Sequence, residues 1–138
     1  MLRGLTTVSF FADDVQAARD WYTELLGIQP YFVRPAEGTP AYVEFRIGDY
    51  QHELGIIDSR FAATGQPDKA AGAVTYWHVD DVLASVDQLE SMGATVLEKP
   101  VERGPGFVTA SVIDPFGNIL GVMYNKHYLE MLQSRPRA

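Results

Sequence analysis

The sequence predicts an α+β fold: two βαβββ modules in tandem form a cup-shaped mixed β-sheet with helices on its outer face. Three observations lead to this prediction. The 138 residues suffice for one domain with a core, each half runs from a strand pattern through a helix pattern to further strands, and segments of the first half recur in the second. We place the modules at about residues 5–58 and 74–125, with a connector at 59–73 and a short C-terminal helix within 126–138.

The first half begins with a strand over residues 6–12 and continues with a helix. Two aspartates suit the helix N-cap, apolar side chains recur every three or four residues, and Gly27 ends the helix, as glycine does at many C-caps. A loop rich in proline and glycine follows. Two alternating strands are then expected on either side of a turn at Gly48–Asp49, over residues 41–47 and 51–57.

The second half repeats this order of elements. A strand over residues 75–79 leads into a helix that Gly93 ends. Proline and glycine predict a turn at Asp114–Asn118, and the glycine-rich segment 103–107 is either a flap over the cup or a simple hairpin turn. The remaining expected elements are strands over 94–99, 107–113 and 119–124 and a short helix at about 127–133.

Two pairs of segments carry the internal repeat. Phe10–Val15 aligns with Trp77–Val82, and Leu54–Ile56 aligns with Leu120–Val122. Two matches in the same order indicate duplication. Because side chains alternate between the faces of a strand, one parity packs against the helix and the other faces the cup. The cup-facing residues are then Thr7, Ser9, Phe11, Glu53, Gly55, Ile57, Val74, Tyr76, His78, Ile119, Gly121 and Met123.

Composition narrows the possible partners and environment. The formal net charge of −7 argues against nucleic acid, whose phosphates need a basic surface. No apolar run approaches the length of a membrane span, and the N-terminus lacks the pattern of a secretory signal. The chain has no cysteine, which excludes disulfides and thiolate chemistry and is compatible with a reducing cytoplasm, where we expect the protein.

The ordered motifs resemble the vicinal-oxygen-chelate superfamily of glyoxalases, bleomycin-resistance proteins and extradiol dioxygenases. The first module of that family resembles Phe11–Asp14 with the helix end Trp21–Gly27, the second resembles Val79–Val82 with Met92–Ala94, and Asp114–Asn118 resembles the turn before its last strand. The resemblance covers about residues 5–125. It implies a small organic ligand and a homodimer, and the superfamily includes both metal-dependent enzymes and metal-free proteins that sequester antibiotics.

The metal positions of the resembling family fall on unsuitable residues in this chain. In that family, ligands come from the first and last strand of each module. Those positions correspond to Thr7 and Gly55 in the first half and to Val74 and Gly121 in the second. None carries the imidazole or carboxylate that a divalent metal requires, so no cofactor is predicted. An alternative alignment would place Glu53 on a ligand position, as one ligand of four.

Two residues are candidates for acid–base chemistry. Glu53 is a cup-facing carboxylate that would act as a base, or else forms an ion pair with Arg46. His78 would act as a base or hydrogen-bond a ligand, or else is a structural histidine near a strand end. His52 faces away from Glu53 along its strand, and His127 is expected at the surface.

The cup as a whole suggests three functional hypotheses. The first is a metal-independent protein that binds a metabolite or drug-like molecule in an aromatic-lined cup. The second is a lyase, isomerase or dioxygenase-like enzyme that uses Glu53 or His78, with or without an unconventional divalent metal. The third is a structural or regulatory interaction module. The expected ligand-binding residues are Thr7, Ser9, Phe11, Glu53, Gly55, Tyr76, His78, Phe107, Gly121, Met123 and Tyr124.

Overall fold

A computed structural model describes residues 1–62 and 70–136 of the chain. The chain divides into two compact units, Met1–Lys69 and Ala70–Ala138. Part of the expected connector, residues 63–69, lies outside the described residues. Among the helices of the described chain, none is long and apolar enough to cross a membrane.

Unit one is a βαβββ module with a four-stranded mixed sheet. The first and last strands run parallel, and the other neighbouring strands are antiparallel. The sheet order is β1-β4-β3-β2, and a single 3-10 turn, Ser59–Phe61, follows the last strand. The elements are β1 (Thr7–Ala12), α1 (Val15–Leu26), β2 (Phe32–Arg34), β3 (Tyr42–Ile47) and β4 (His52–Asp58).

Unit two repeats the topology and adds a C-terminal helix. Its sheet order is β5-β8-β7-β6, with β5 parallel to β8. The prediction of an α+β fold with two tandem βαβββ modules is therefore confirmed. The elements are β5 (Tyr76–His78), α2 (Val82–Ser91), β6 (Thr95–Gly104), β7 (Phe107–Ile113), β8 (Ile119–Asn125) and α3 (Lys126–Ser134).

The same capping chemistry starts the first helix of each unit. The carboxylate of Asp14 accepts a hydrogen bond from the backbone N–H of Ala17, and that of Asp81 accepts one from Ala84, each at 2.9 Å. Each bond satisfies an amide that has no partner within the helix. At the end of α1, Gly27 adopts a left-handed φ of 68°, a conformation that glycine reaches without steric cost.

Alternate strand residues of unit one pack against α1 and form its core. Phe45, Leu54 and Ile56 are at most 1% exposed, and the ring of Tyr22 on α1 lies 6.2 Å from that of Phe10. We name the side of each sheet that faces away from α1 or α2 the open face. The register places three predicted pairs together on the open face of unit one: Thr7 with Glu53, Ser9 with Gly55, and Phe11 with Ile57.

Strand lengths differ from the sequence expectations at three places. The stretch expected as a loop contains the edge strand β2, Phe32–Arg34, which pairs with β3. The expected strand over residues 75–79 is reduced to Tyr76–His78. Conversely, β6 continues past residue 99 to Gly104, with register shifts along its pairing with β7. Gly104 pairs with Phe107, so the glycine-rich segment is a hairpin turn, one of the two expected alternatives.

Candidate functional site

The open face of unit one carries a cluster of polar and charged side chains. Strand register brings residues of β3 beside the predicted residues of β1 and β4, because neighbours in a row point to the same side of a sheet. Of the members from β3, Arg46 was expected only as an ion-pair partner of Glu53, and Tyr42 and Glu44 were not predicted. The rows are Thr7, Glu53 and Arg46; Ser9, Gly55 and Glu44; and Phe11, Ile57 and Tyr42.

Glu53 is held by two partners on its own row. The hydroxyl of Thr7 donates to its Oε2 at 3.2 Å, and Nε of Arg46 lies 3.8 Å from its Oε1. The expected contact between Glu53 and Arg46 is thus present. The guanidinium of Arg46 also lies over the ring of Tyr31, 4.1 Å from the centroid, in a cation–π contact. The carboxylate of Glu53 therefore already has a positive neighbour and a hydroxyl donor.

A second carboxylate lies close by, on β3. The phenol of Tyr42 donates to Oε1 of Glu44 at 2.5 Å. Burial and the charge of Glu53 raise the pKa of Glu44, while Arg46 opposes this shift. Burial and Glu53 also raise the pKa of Tyr42. The pair is thus a phenol that stays protonated and donates, beside a carboxyl group that takes up a proton more readily than usual.

This electrostatic arrangement makes a testable prediction for Glu44→Gln. Because the pKa of Glu44 is raised by folding, the folded protein holds the proton more tightly than the unfolded chain. The contribution of Glu44 to wild-type stability is therefore present below the ordinary glutamate value, about 4.3, and is lost as pH rises through the raised value. The variant lacks this loss, so its stability relative to wild type should increase with pH, by less than about 1 kcal/mol for a partly exposed group.

Urea unfolding at pH values between 4 and 8 measures this difference. Glu37→Gln is the matched control, since Glu37 is exposed in a loop. A relative stability of Glu44→Gln that decreases as pH rises would contradict the electrostatic account, because it would mean that ionised Glu44 stabilises the fold.

Tyrosine side chains fill the space beside both glycines at the expected metal positions. A Cβ built on Gly55 would lie 2.6 Å from the phenol oxygen of Tyr42. A Cβ on Gly121 would lie 2.7 Å from both the carbonyl oxygen of Thr75 and Cδ1 of Tyr76. Side chains do not tolerate such short contacts. Each glycine therefore leaves room for a neighbouring tyrosine. A side chain at Gly121 would also meet backbone, whereas one at Gly55 would require the phenol of Tyr42 to rotate away.

The residues of neither unit fit a metal centre of the family type. Glu53 shares a row with Thr7, whereas Gly55 shares one with Ser9, so the alternative alignment supplies a single carboxylate beside a threonine. Arg46 faces that carboxylate and would repel a divalent cation. Across residues 1–62 and 70–136, no three His, Asp or Glu side chains are grouped so that they could hold a metal ion.

The open face of unit two has two rows of expected ligand-binding residues. One row joins Tyr76, Gly121 and Ser111, and the next joins His78, Met123 and Thr109. The sequence did not predict the two hydroxyl residues from β7. Both are buried polar residues: Ser111 is 3% exposed and Thr109 is 9% exposed.

Arg103 lies at one side of this face, where it makes two hydrogen bonds. Its Nε donates to the hydroxyl oxygen of Thr109 at 3.1 Å, and its terminal nitrogen donates to Glu98 at 2.7 Å. The guanidinium thus joins a buried hydroxyl to a partly exposed carboxylate. Since its charge is balanced by Glu98, this side of the face offers hydrogen bonds and little net charge.

Both ring nitrogens of His78 have partners within unit two. Nδ1 accepts a hydrogen bond from the backbone N–H of Asn125 at 3.3 Å, and Nε2 lies 3.4 Å from a carboxylate oxygen of Asp80. The ring stacks on Tyr128 at 4.5 Å with an interplanar angle of 7°. This geometry matches the structural histidine that the sequence left open as an alternative to a base.

Two aromatic residues of the expected ligand set lie in different surroundings. Phe107 shares its row with Asn125, which lies two residues beyond Met123 on β8 and therefore on the same face. Tyr124 shares its row with Val108 and has the parity of Val122, which faces α2. Strand alternation therefore separates Tyr124 from the open face, although its ring comes within 5.5 Å of the ring of His78.

The remaining histidines lie apart from these clusters. His52 stacks on Tyr50 at a ring distance of 5.5 Å and, as expected, points to the other side of β4 from Glu53. The side chain of His127 is 64% exposed and lies 2.9 Å from the carboxylate of Glu130 on the same helix. His127 is therefore at the surface, as expected.

Solved structures of similar fold support the topology. A glyoxalase-related enzyme from Fulvimarina pelagi is 17% identical with a TM-score of 0.70, covering 91% of this chain and 90% of its own. A protein from Agrobacterium tumefaciens, solved by NMR, is 19% identical with a TM-score of 0.69, covering 90% and 98%. A superfamily member from Sphaerobacter thermophilus is 18% identical with a TM-score of 0.68, covering 88% and 97%. At these identities the likeness shows the fold alone.

Sequence comparison places the chain in a family without identifying a specific relative. No curated protein matched the chain. The family model described as the Glyoxalase/Bleomycin resistance protein/Dioxygenase superfamily matches residues 4–122, which is most of the chain and includes every strand of both sheets except the last residues of β8. Together with the two βαβββ units, this match shows that the chain belongs to the Glyoxalase/Bleomycin resistance protein/Dioxygenase superfamily.

Proposed function

We propose that this protein binds a small organic molecule on an open face without using a metal ion. The observation that carries the proposal is the filling of both glycine positions by tyrosine: Tyr42 beside Gly55 and Tyr76 beside Gly121. The tyrosine comes from β3 in unit one and from β5 in unit two. A phenol offers an aromatic surface and a hydrogen bond, which suits recognition of an organic ligand.

The side chains around Tyr42 favour a flat ligand that donates hydrogen bonds. Tyr31 and Phe32 are 45% and 43% exposed, and the rings of Phe32 and Tyr42 meet edge to face at 6.1 Å. Glu44 and Glu53 are acceptors, and the charge of Arg46 is already engaged by Glu53. An anionic ligand would be repelled by two carboxylates, so we expect a neutral or cationic molecule with an aromatic or otherwise planar body.

An enzymatic role is the alternative, and one observation favours it. A partly buried carboxyl group with a raised pKa, Glu44, lies beside a phenol donor, and such groups are suited to proton transfer. In this alternative, the chain is a lyase, isomerase or dioxygenase-like enzyme, and Glu53 or His78 would also be tested as bases. The engaged nitrogens of His78 make it the weaker of the two.

Family resemblance and composition supply two further proposals. A homodimer is expected because members of the resembling family commonly pair. A cytoplasmic location is expected from the absence of cysteine. Sedimentation of the purified protein would test the first of these.

Titration of bleomycin, and of neutral, cationic and anionic flat aromatic compounds, tests the proposal by calorimetry in the presence of EDTA. We expect saturable binding by a neutral or cationic compound. Removing the aromatic edge in Tyr31→Ala should weaken it about tenfold, as loss of a stacking contact typically does. The matched control is Leu83→Ala on α2, where an exposed apolar residue lies away from the open face. Binding only after metal is added, or conversion of a bound compound to product, would contradict the proposal.

A further inference from the structure

Two buried hydroxyl groups of β7 lie on the open face of unit two with hydrogens that no acceptor receives. Ser111 is 3% and Thr109 9% exposed, and because they are two residues apart on one strand, both point to the same side of the sheet. Thr109 accepts a hydrogen bond from Nε of Arg103, which leaves its own O–H free to donate. Within residues 1–62 and 70–136, the hydroxyl of Ser111 has no hydrogen-bond partner, so both groups are still able to donate.

The oxygen of Ser111 is open to a ligand although the residue is buried. Among the described residues, the side-chain polar atoms that are both sealed from solvent and without a partner are Thr23 Oγ1 and Trp77 Nε1. The unpartnered Oγ of Ser111 is not among them, so it retains contact with the open side of the sheet. A hydroxyl that is buried without a partner costs free energy, and an acceptor that arrives from outside the chain would remove this cost.

The charges beside Ser111 favour a neutral ligand group. Glu98 shares the row of Ser111 on β6, and its carboxylate accepts a hydrogen bond from Arg103 at 2.7 Å. A guanidinium carries five N–H groups, and the bonds to Glu98 and Thr109 use one each, so Arg103 has further donors. An anion would be repelled by Glu98 and a cation by Arg103. The group that matches the unused donors is therefore an uncharged acceptor such as a carbonyl oxygen.

Tyr76 provides a flat apolar surface on the same row. The row joins Tyr76 to Ser111 through Gly121. The ring lies so close to the glycine that a built Cβ would be 2.7 Å from its Cδ1, and the residue is 41% exposed. An exposed aromatic ring next to hydroxyl donors suits a planar molecule that carries a carbonyl group on its ring.

We propose that the open face of unit two is a subsite for a neutral carbonyl group, which accepts a hydrogen bond from Ser111, with Thr109 and Arg103 as further donors to the same ligand. It rests on the proposed function and names the chemistry that unit two recognises. The open face of unit one presents the acceptors Glu44 and Glu53. The two repeats thus select opposite hydrogen-bonding groups: donors in unit one and acceptors in unit two.

Acetophenone is a matched probe, since it joins a flat ring to one neutral carbonyl. In calorimetry with EDTA, Ser111→Ala should weaken its binding about three- to tenfold, as loss of one hydrogen bond does. The melting temperature of the ligand-free variant should equal or exceed that of wild type, because the hydroxyl has no partner in the described part of the chain. Ser91→Ala on α2 is the control, since its hydroxyl donates to the carbonyl of Gln88.

A second probe and a second pair of variants separate hydrogen bonding from shape. 1-Phenylethylamine carries an ammonium group where acetophenone has its carbonyl, so Ser111→Ala should leave its affinity unchanged. The infrared carbonyl band of bound carbon-13 acetophenone should lie at or below its frequency in water. In Thr109→Val, which keeps the shape but loses the hydroxyl, the band should rise towards its frequency in an apolar solvent, whereas Thr109→Ser should retain the wild-type band.

Three results would overturn the carbonyl subsite. They are equal binding of acetophenone by wild type and Ser111→Ala, an equal loss of affinity for the amine and the ketone in that variant, and a bound carbonyl band at the apolar frequency in wild type. Binding of the amine without binding of acetophenone also overturns it and leaves the proposed function standing. Failure of every compound in the ligand titrations would instead overturn the proposed function itself.

Discussion

Gly121→Ala is expected to lower the free energy of unfolding by about 2 kcal/mol, as overpacking in a closely packed site does. The added Cβ would lie 2.7 Å from the carbonyl oxygen of Thr75 and from the ring of Tyr76. The atom of Thr75 in this contact is its backbone carbonyl oxygen, which also accepts a hydrogen bond from the N–H of Gly121 at 3.0 Å. Relief of the clash therefore displaces the start of β5, a strand of three residues.

Two other glycines provide a graded comparison for this variant. Gly4 has no atom within 4 Å of a built Cβ, so Gly4→Ala should change stability by less than about 0.5 kcal/mol. Gly55→Ala should cost less than Gly121→Ala, because the atom in its way is the phenol oxygen of Tyr42, which moves by side-chain rotation. Urea unfolding measures all three. Equal stability of the Gly121 and Gly4 variants would contradict the packing described for β5.

Asp114→Ala is expected to cost about 3 kcal/mol, the largest effect among these variants, because several hydrogen-bond donors lose a charged acceptor together. Asp114 is 3% exposed. Its Oδ1 accepts the backbone N–H groups of Phe116 and Asn118 at 2.9 and 2.8 Å, and its Oδ2 accepts the side-chain amide of Asn118 at 3.1 Å. The carboxylate therefore fixes the turn that leads into β8.

Asp114→Asn separates shape from charge at this turn. The amide oxygen still accepts the two backbone N–H groups, so this variant should lose less than half as much stability as Asp114→Ala. Thermal and urea unfolding measure both variants. An alanine variant within about 0.5 kcal/mol of wild type would show that the turn does not depend on its carboxylate.

Local chemistry explains why much of the fold could be predicted. Asp14 and Asp81 cap their helices through bonds to residues three positions along, and the glycine at the end of α1 acts through its own φ. Such signals are contained in a few neighbouring residues. By contrast, β2 is a three-residue strand that pairs with β3 at the edge of the sheet, so its extent depends on a distant partner and is not visible in its own sequence.

The part of the candidate site that depends only on the alternation of side chains along a strand was predicted correctly. Alternation along β1 and β4 placed Thr7 and Glu53 on one face, as the register confirms. Tyr42 and Glu44 were missed, although the alternation of Tyr42, Glu44 and Arg46 with apolar neighbours in β3 was the available signal. Which of these meets Gly55 or Glu53 depends on the β3–β4 register, and this register is set by the connecting turn.

The contacts of His78 could not be predicted from its surroundings in the sequence. Its partners Asn125 and Tyr128 lie 47 and 50 positions further along the chain. A histidine at a strand end is compatible with a base, a ligand contact or a structural role, and only the docking of α3 distinguishes them.

Metal binding tests the central claim most directly. Purified protein, stripped with EDTA, is dialysed against nickel, zinc, manganese and iron(II), and metal content and melting temperature are then measured. We predict far less than one metal ion per chain and no saturable stabilisation, since tyrosines fill the space beside Gly55 and Gly121. One ion per chain, with stabilisation approaching about 2.7 kcal/mol at a hundredfold excess over Kd, would contradict the metal-free account and favour the enzymatic alternative.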